Sequence, residues 1–313
     1  MGTLSSSSTI RTEQRLYNCM PCDYTDIVID CEIGAVTLLE SAYDIVVKIG
    51  SMALIRHDDG DIDYNIFSRL GSSLRPGILL VSSGATEIGR IDYIKRNGRE
   101  LSGDEEDVKT DYSAQGQAIL MENYRQFISP QYSVRQVLVE HSHFNDAEKR
   151  EHILRLLSRA PLQGAIPIIN YNDPVSSEEN RKMELKKIGN GGREVVECVD
   201  NDETAAVVAM LVNAKTLVIL TSVDGIYQNP KDPSTLIREI TGSSPEELEA
   251  NVNEAIACCS GASRAGAHGA GAKLKYSLGP AKAGTHVYIS SAVNRIADIV
   301  SGKAASTHIY IKN

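Results

Sequence analysis

Two rhythms of apolar and polar residues run along this chain. Short runs of β-branched and aliphatic residues recur at 45–49, 78–81, 134–139, 165–169, 217–220, 285–290 and 307–311, and each is read as a buried strand. Between them the apolar residues take helical spacing. Ile62, Ile66, Phe67 and Leu70 do so within 61–74, and Ile153, Leu154, Leu156 and Leu157 within 146–159. Ala205, Val208, Ala209 and Val212 share one face of 202–212. Further helices are predicted from Ala85 to about Ile94 and over 112–127 and 273–283, with a capped start at Ser244-Pro245-Glu246-Glu247. Strands alternating with helices predict an α/β fold whose mainly parallel sheet is covered on both faces.

The remaining segments read differently. Residues 95–110 are charged and contain glycine, which predicts a surface loop. Residues 183–199 predict a hairpin turning at Gly189-Asn190-Gly191-Gly192. Apolar alternation over 27–33 predicts a strand, and the Ser/Thr-rich residues 1–10 predict disorder. Residues 1–43 are thus set apart as an N-terminal extension.

Composition narrows the class of protein. The chain has 313 residues, 42% hydrophobic and 23% charged, as expected of a soluble globular protein. Its net charge of −9 argues against a general nucleic-acid binder, without excluding an anionic ligand in a local basic pocket. No apolar run approaches the roughly 20 residues of a membrane span, and no secretory signal is visible. Of six cysteines, Cys19 and Cys22 have metal or redox spacing, but no second such pair and no histidine pair stands nearby. Reduced thiols in a cytoplasmic protein are expected, with no metal ligands.

Candidate chemistry gathers at the ends of the predicted strands, where ligands of parallel sheets collect. Lys48 interrupts the first buried run just before Gly50-Ser51. It is either a phosphate ligand facing a turn of free amides or a lysine snorkelling from a strand edge. Small and polar residues recur at Ser82-Ser83-Gly84-Ala85, at Asn170-Tyr171-Asn172-Asp173 and at 221–225. Gly266-Ala267-His268-Gly269-Ala270-Gly271-Ala272-Lys273 departs from a P-loop in spacing and in the residue after the lysine. It is either a phosphate cradle at a helix start or a flexible linker. Asp200-Asn201-Asp202 is either a helix cap, with acids at the positive end of the dipole, or a device in which Asp202 aligns two lysines.

These stretches, with Gly116-Gln117-Ala118-Ile119-Leu120-Met121 and Leu220-Thr221-Ser222-Val223-Asp224-Gly225 between them, resemble the amino acid kinase family in composition and order. Within it the glutamate 5-kinases are most similar. The resemblance runs from about residue 44 to the C-terminus. It implies a three-layer αβα sandwich that moves the γ-phosphoryl group of ATP, with magnesium, to a carboxylate. The acceptor-binding part would be about 44–200 and the nucleotide-binding part about 201–313. Carried over by position, Lys48, Lys273 and Asp202 would be catalytic. Ser83, Gly84, Asp173 and Asn201 would bind the acceptor. Lys48, Gly50, Ser51, Thr221, Ser222, Gly266, His268, Gly269, Gly271 and Lys273 would meet the nucleotide and its phosphates. The expected partners are a small acidic substrate and further copies of the chain in a dimer or tetramer, with no nucleic acid and no membrane.

Several positions depart from the family pattern. Tyr171 replaces a glutamate, Val199 precedes Asp200, Ser222 replaces an aspartate, and Ala267-His268 stand in the glycine loop. The RNA-binding-like C-terminal module of many glutamate 5-kinases is not expected. Three readings stay open: an acyl-phosphate-forming kinase of glutamate or a related metabolite, a kinase of a phosphate or phosphonate, and a nucleotide-binding regulator without catalysis.

Overall fold

The computed structural model describes residues 42–176, 178–189, 195–198, 200–229, 231–259 and 269–312. The N-terminal half of this set holds strands β1 (Ile45–Ile49), β2 (Ile78–Ser82), β3 (Ser133–Val139) and β4 (Ala165–Tyr171). Its helices are α1 (Tyr64–Ser73), α2 (Ala85–Asn97), α3 (Glu105–Phe127), the single turn α4 (Ser142–Asn145), α5 (Ala147–Arg159) and α6 (Glu178–Gly189). There follow α7 (Asn201–Leu211), β5 (Thr216–Thr221), the short strands β6 (Ile226–Tyr227) and β7 (Leu236–Ile237), and β8 (Glu239–Gly242). The chain closes with α8 (Pro245–Cys259), α9 (Ala270–Lys282), β9 (His286–Ser291), α10 (Ile296–Val300) and β10 (Ser306–Ile311).

Eight strands form one sheet in the order β3-β4-β2-β1-β5-β9-β10-β8. The first six are parallel, and β10 lies antiparallel to β9 and parallel to β8. Strands β2, β4 and β5 are buried throughout, which is why they read as unbroken apolar runs rather than alternating ones. Side chains of successive residues face opposite layers. Val46, Leu79, Ile169, Leu217 and Val287 pack with Leu157, Ala205, Val208, Val252 and Leu274 from α5, α7, α8 and α9. Val47, Ile49, Leu80, Ile168 and Val218 pack on the other side with Phe67, Ile88, Leu120, Tyr124 and Ile296 from α1, α2, α3 and α10. The expected three-layer αβα sandwich is thus observed. Alternation along β1 puts Lys48 on the Val46 side, toward α7.

Two expectations fail for identifiable reasons. The predicted loop over 95–110 is largely helical. α2 continues to Asn97, and α3 starts at Glu105, where Asp104 accepts from the amide of Glu106 at 2.9 Å. Glu105, Glu106 and Asp107 lie in that first turn, where acidic groups suit the helix dipole, so the charge run marks a helix start. The predicted hairpin over 183–199 is contradicted by α6. Its sequence, Glu-Glu-Asn-Arg-Lys-Met-Glu-Leu-Lys-Lys, is built from strong helix formers. Of the hairpin's turn, Gly189 ends α6, and residues 190–192, the strand over 27–33, the first ten residues and Cys19 and Cys22 lie outside the described residues. The hairpin of β6 and β7 and the strand β8 were not anticipated.

Candidate active site

The carboxyl ends of β1, β2, β4 and β5 open on two adjoining cavities. The first, about 530 Å³, is lined by Lys48, Gly50, Asp202, Thr221, Ser222 and Lys273, among others. The second, about 970 Å³, is lined by Gly84, Asn170, Asp173 and the first turn of α3. Ser51, Ser83, Asp200 and Asn201 belong to both and mark where they meet.

At the floor of the first cavity stands an ion triad. Asp202, 1% exposed, lies in the first turn of α7, whose start is fixed by the preceding Asp200. The Asp200 carboxylate accepts from the amides of Asp202 (2.6 Å) and Glu203 (3.0 Å), so Asp200 is the helix cap. Asp202 is thereby left for another role. One carboxylate oxygen takes Lys48 Nζ at 2.6 Å and the other takes Lys273 Nζ at 3.0 Å. Burial alone would push the Asp202 carboxyl up, but the two ammonium groups outweigh it and hold the carboxyl below the usual carboxylate range. Lys48 is buried too, whereas Lys273 keeps 18% of its side chain exposed. The triad carries two positive charges and one negative, all facing a cavity of nucleotide-compatible size.

The second cavity is predominantly acidic. Among the described residues, Glu87, Asp104, Glu105, Glu106, Asp173 and Asp200 line it, with Lys109 as the one basic residue. Its inner wall carries a row of amides. Asn201 Nδ2 donates to Ser83 Oγ (3.1 Å) and to Asn170 Oδ1 (3.0 Å), and Asn170 Nδ2 donates to Gln117 Oε1 (2.8 Å). Gly84, at the mouth, has φ 104°, a left-handed conformation that glycine adopts without strain, and it starts α2.

Most residues singled out in the sequence therefore meet. Lys48, Lys273 and Asp202 are in direct contact, and Ser83, Gly84, Asp173 and Asn201 line the second cavity. Gly50, Ser51, Thr221, Ser222 and Gly269 line the first. Two details differ from expectation. The Gly50 amide donates to Leu220 O at 3.2 Å and is not free, because β1 pairs with β5 up to that point. The Thr221 hydroxyl is engaged within its own turn, accepting from Val223 N at 2.9 Å and donating to Val223 O at 3.1 Å. Gly271 sits on α9, where Ile256 is the nearest side chain, and does not line either cavity. Gly266 and His268 lie outside the described residues.

Sequence reasoning passed over Gln117, Glu105, Glu106 and Lys109. The last three were hidden by the loop assignment. Gln117 had a usable signal: with Leu120, Met121 and Tyr124 it completes an i, i+3, i+4, i+7 stripe, so a polar side chain stands on the buried face of α3.

The sequence model of the Amino acid kinase family matches residues 45–291. The chain is 28% identical over 292 residues to the glutamate 5-kinase of Clostridium perfringens, covering 88% of this chain and 97% of that one. It is 31% identical over 287 residues to the glutamate 5-kinase of Myxococcus xanthus, covering 87% and 68%. Among solved structures, carbamate kinase from Giardia lamblia bound to AMP-PNP aligns with a TM-score of 0.56 at 17% identity, covering 87% of this chain and 100% of that chain. An isopentenyl phosphate kinase substrate complex aligns with a TM-score of 0.51 at 14% identity, covering 86% and 100%. At these identities the two structures attest the fold.

Proposed function

The chain belongs to the amino acid kinase family, and on that premise we propose that it transfers the γ-phosphoryl group of ATP to the side-chain carboxylate of glutamate or a closely related amino acid. The nucleotide would occupy the cavity that carries the triad, and the acceptor the acidic cavity beside it. A carboxylate oxygen of the acceptor attacks the γ-phosphorus, the bond to the β–γ bridging oxygen breaks, and ADP departs with that electron pair. An acyl phosphate results. The nucleophile is already anionic, so no general base is required, and catalysis rests on alignment and on compensating phosphoryl charge.

The observation that carries this reading is Asp202 holding Lys48 and Lys273 by separate carboxylate oxygens. The lysines come from β1 and α9, far apart in the chain, and converge in the first cavity, on a carboxylate next in sequence to Asn201, which lines both cavities. Lys48 would stabilise the transferred group and Lys273 the departing side. Asp202 keeps both ammonium groups in place and would not touch the substrate itself. A magnesium ion supplies further charge compensation on the phosphates when bound. The described residues include no cluster of three or more His, Cys, Asp or Glu suited to hold an ion. Asp202 is already taken by the lysines, so the ion would be held by phosphate oxygens and water.

The acidic lining of the second cavity favours an acceptor with an ammonium group over a phosphate or phosphonate, whose two negative charges would face six carboxylates. Magnesium-dependent ADP release in the presence of glutamate, glutarate, aspartate and a phosphonate analogue tests the reading. Turnover with glutamate and little with glutarate or the phosphonate is expected. Turnover with the phosphonate alone, or nucleotide binding without turnover of any acceptor, would overturn it.

A further inference from the structure

The row of buried amides beside the junction has a direction, and one backbone group sets it. The two ends of a carboxamide have the same shape, so only their partners decide which is oxygen and which is nitrogen. The amide of Tyr171 can only donate, and it lies 2.9 Å from one side-chain atom of Asn170. That atom is therefore Oδ1. The Asn201 atom 3.0 Å from the same oxygen must then be its nitrogen, and this nitrogen also donates to Ser83 Oγ at 3.1 Å. Because Ser83 Oγ accepts from Asn201, its own proton is left for another partner, and Ser83 lines both cavities.

At the other end the same logic applies. Asn170 Nδ2 needs an acceptor and finds Gln117 Oε1 at 2.8 Å. Asn170 is 2% exposed and Gln117 is 7% exposed, so water does not substitute readily for either. The polarity leaves Gln117 Nε2 and Asn201 Oδ1 buried without a hydrogen-bond partner among the described residues, a cost that an apolar pair in the same place would avoid. Gln117 is also held firmly. The neighbouring Gly116 lies so close to α2 that a Cβ there would come within 1.8 Å of Ala85 O, and Tyr124 OH bonds Ser82 Oγ at 2.7 Å one residue before Ser83. Both ends of the row are thus tied to α3.

We propose that Gln117 is a positioning residue: by accepting from Asn170 Nδ2 while the Tyr171 amide engages Oδ1, it holds Asn170, and through it Asn201, so that the Ser83 hydroxyl is kept as a hydrogen-bond donor to the acceptor's carboxylate. The role suits a phosphoryl acceptor that is anionic at its reacting end. A serine free to turn could give its proton to another acceptor nearby, whereas one whose oxygen is already engaged by Asn201 has fewer ways to point it. The proposal rests on the carboxylate-kinase reading above and adds a residue that touches neither substrate.

The test is steady-state kinetics of wild type, Gln117→Leu and Gln117→Glu, with glutamate and ATP varied separately. A glutamic acid at this position keeps an oxygen facing Asn170 Nδ2, whether or not it is ionised, whereas leucine fills the space without one. Gln117→Leu is expected to raise the KM for glutamate about tenfold, the loss of roughly one oriented hydrogen bond, with the KM for ATP within twofold. Gln117→Glu should recover most of that loss. A packing role predicts the reverse order, with leucine tolerated and glutamate harmful, and that result overturns the proposal. In a Ser83→Ala background, Gln117→Leu should add little further effect. Full additivity would also overturn it, since the residue would not be acting through Ser83. Wild-type protein that turns over no carboxylate acceptor refutes the kinase reading and this role together. An active wild type with leucine tolerated refutes this role alone.

Discussion

Asp202 shows how burial and charge divide the labour at the scale of one residue. A carboxylate 1% exposed would be costly if it stood alone, and the ammonium groups of Lys48 and Lys273 make its ionised form the stable one. The pH dependence follows from the sign of that effect. The folded-state carboxyl lies below its unfolded value, so its contribution to stability is complete above the unfolded value of about 3.9. It fades as pH falls through the lower folded value. The difference in urea unfolding free energy between wild type and Asp202→Asn should therefore be larger at pH 7 than at pH 3, and an unchanged difference would contradict the triad's electrostatics. Kinetics test the lysines. Lys48→Met and Lys273→Met keep most of the apolar stem and remove the charge. Each should lower turnover by about 10²–10³, the scale of one preorganised electrostatic donor. Near-normal turnover in either folded variant would refute the mechanism.

At the scale of elements, the acidic cavity depends on how closely α2 and α3 approach. Gly89 faces Tyr112 O and Gly116 faces Ala85 O, and in each case a methyl carbon added to the glycine would sit only 1.8 Å from that oxygen. Gly116→Ala must force the helices apart, at about 1–3 kcal/mol or more. The displaced first turn of α3 should also raise the KM for the acceptor. Gly279→Ala offers a contrast within α9, where the nearest atom is Met210 Sδ at 3.4 Å. There, helix propensity should leave stability unchanged or raise it by up to about 1 kcal/mol. Chemical denaturation of the two variants side by side should show a loss of stability for Gly116→Ala and none for Gly279→Ala; equal losses would mean that the close approach does not control packing. The existence of both helices was legible from apolar spacing, but their contact was not. A glycine inside a helical pattern looks the same whether it faces solvent or a neighbouring backbone. α6 shows the converse failure, since Gly189 to Gly192 suggested a turn while the preceding residues carried the stronger helical preference.

Across the whole molecule, the division into two cavities predicts that substrate effects separate. Asp173 lines the acidic cavity and not the one with the triad. Asp173→Asn should raise the KM for the acceptor by about 10-fold or more, as loss of a charge-assisted contact worth roughly 1.5–3 kcal/mol implies. The KM for ATP should stay within twofold, and equal effects on both substrates would remove Asp173 from the acceptor site. The unbroken apolar runs, interleaved with helical spacing, determined by themselves that the chain makes a parallel sheet between helical layers, because burial of both faces dictates strands that are apolar throughout. They also placed the small polar residues at strand ends, where such sheets collect ligands. Local sequence went no further. That Lys48 and Lys273 share one carboxylate depends on β1 lying beside β5 in register, with α7 and α9 packed over the same face. The engagement of the Gly50 amide by Leu220 and the direction of the row from Gln117 to Ser83 were likewise decided by tertiary contact. Hydrogen-bond polarity and charge pairing are properties of atoms brought together from distant parts of the chain, and spacing along the chain does not encode them.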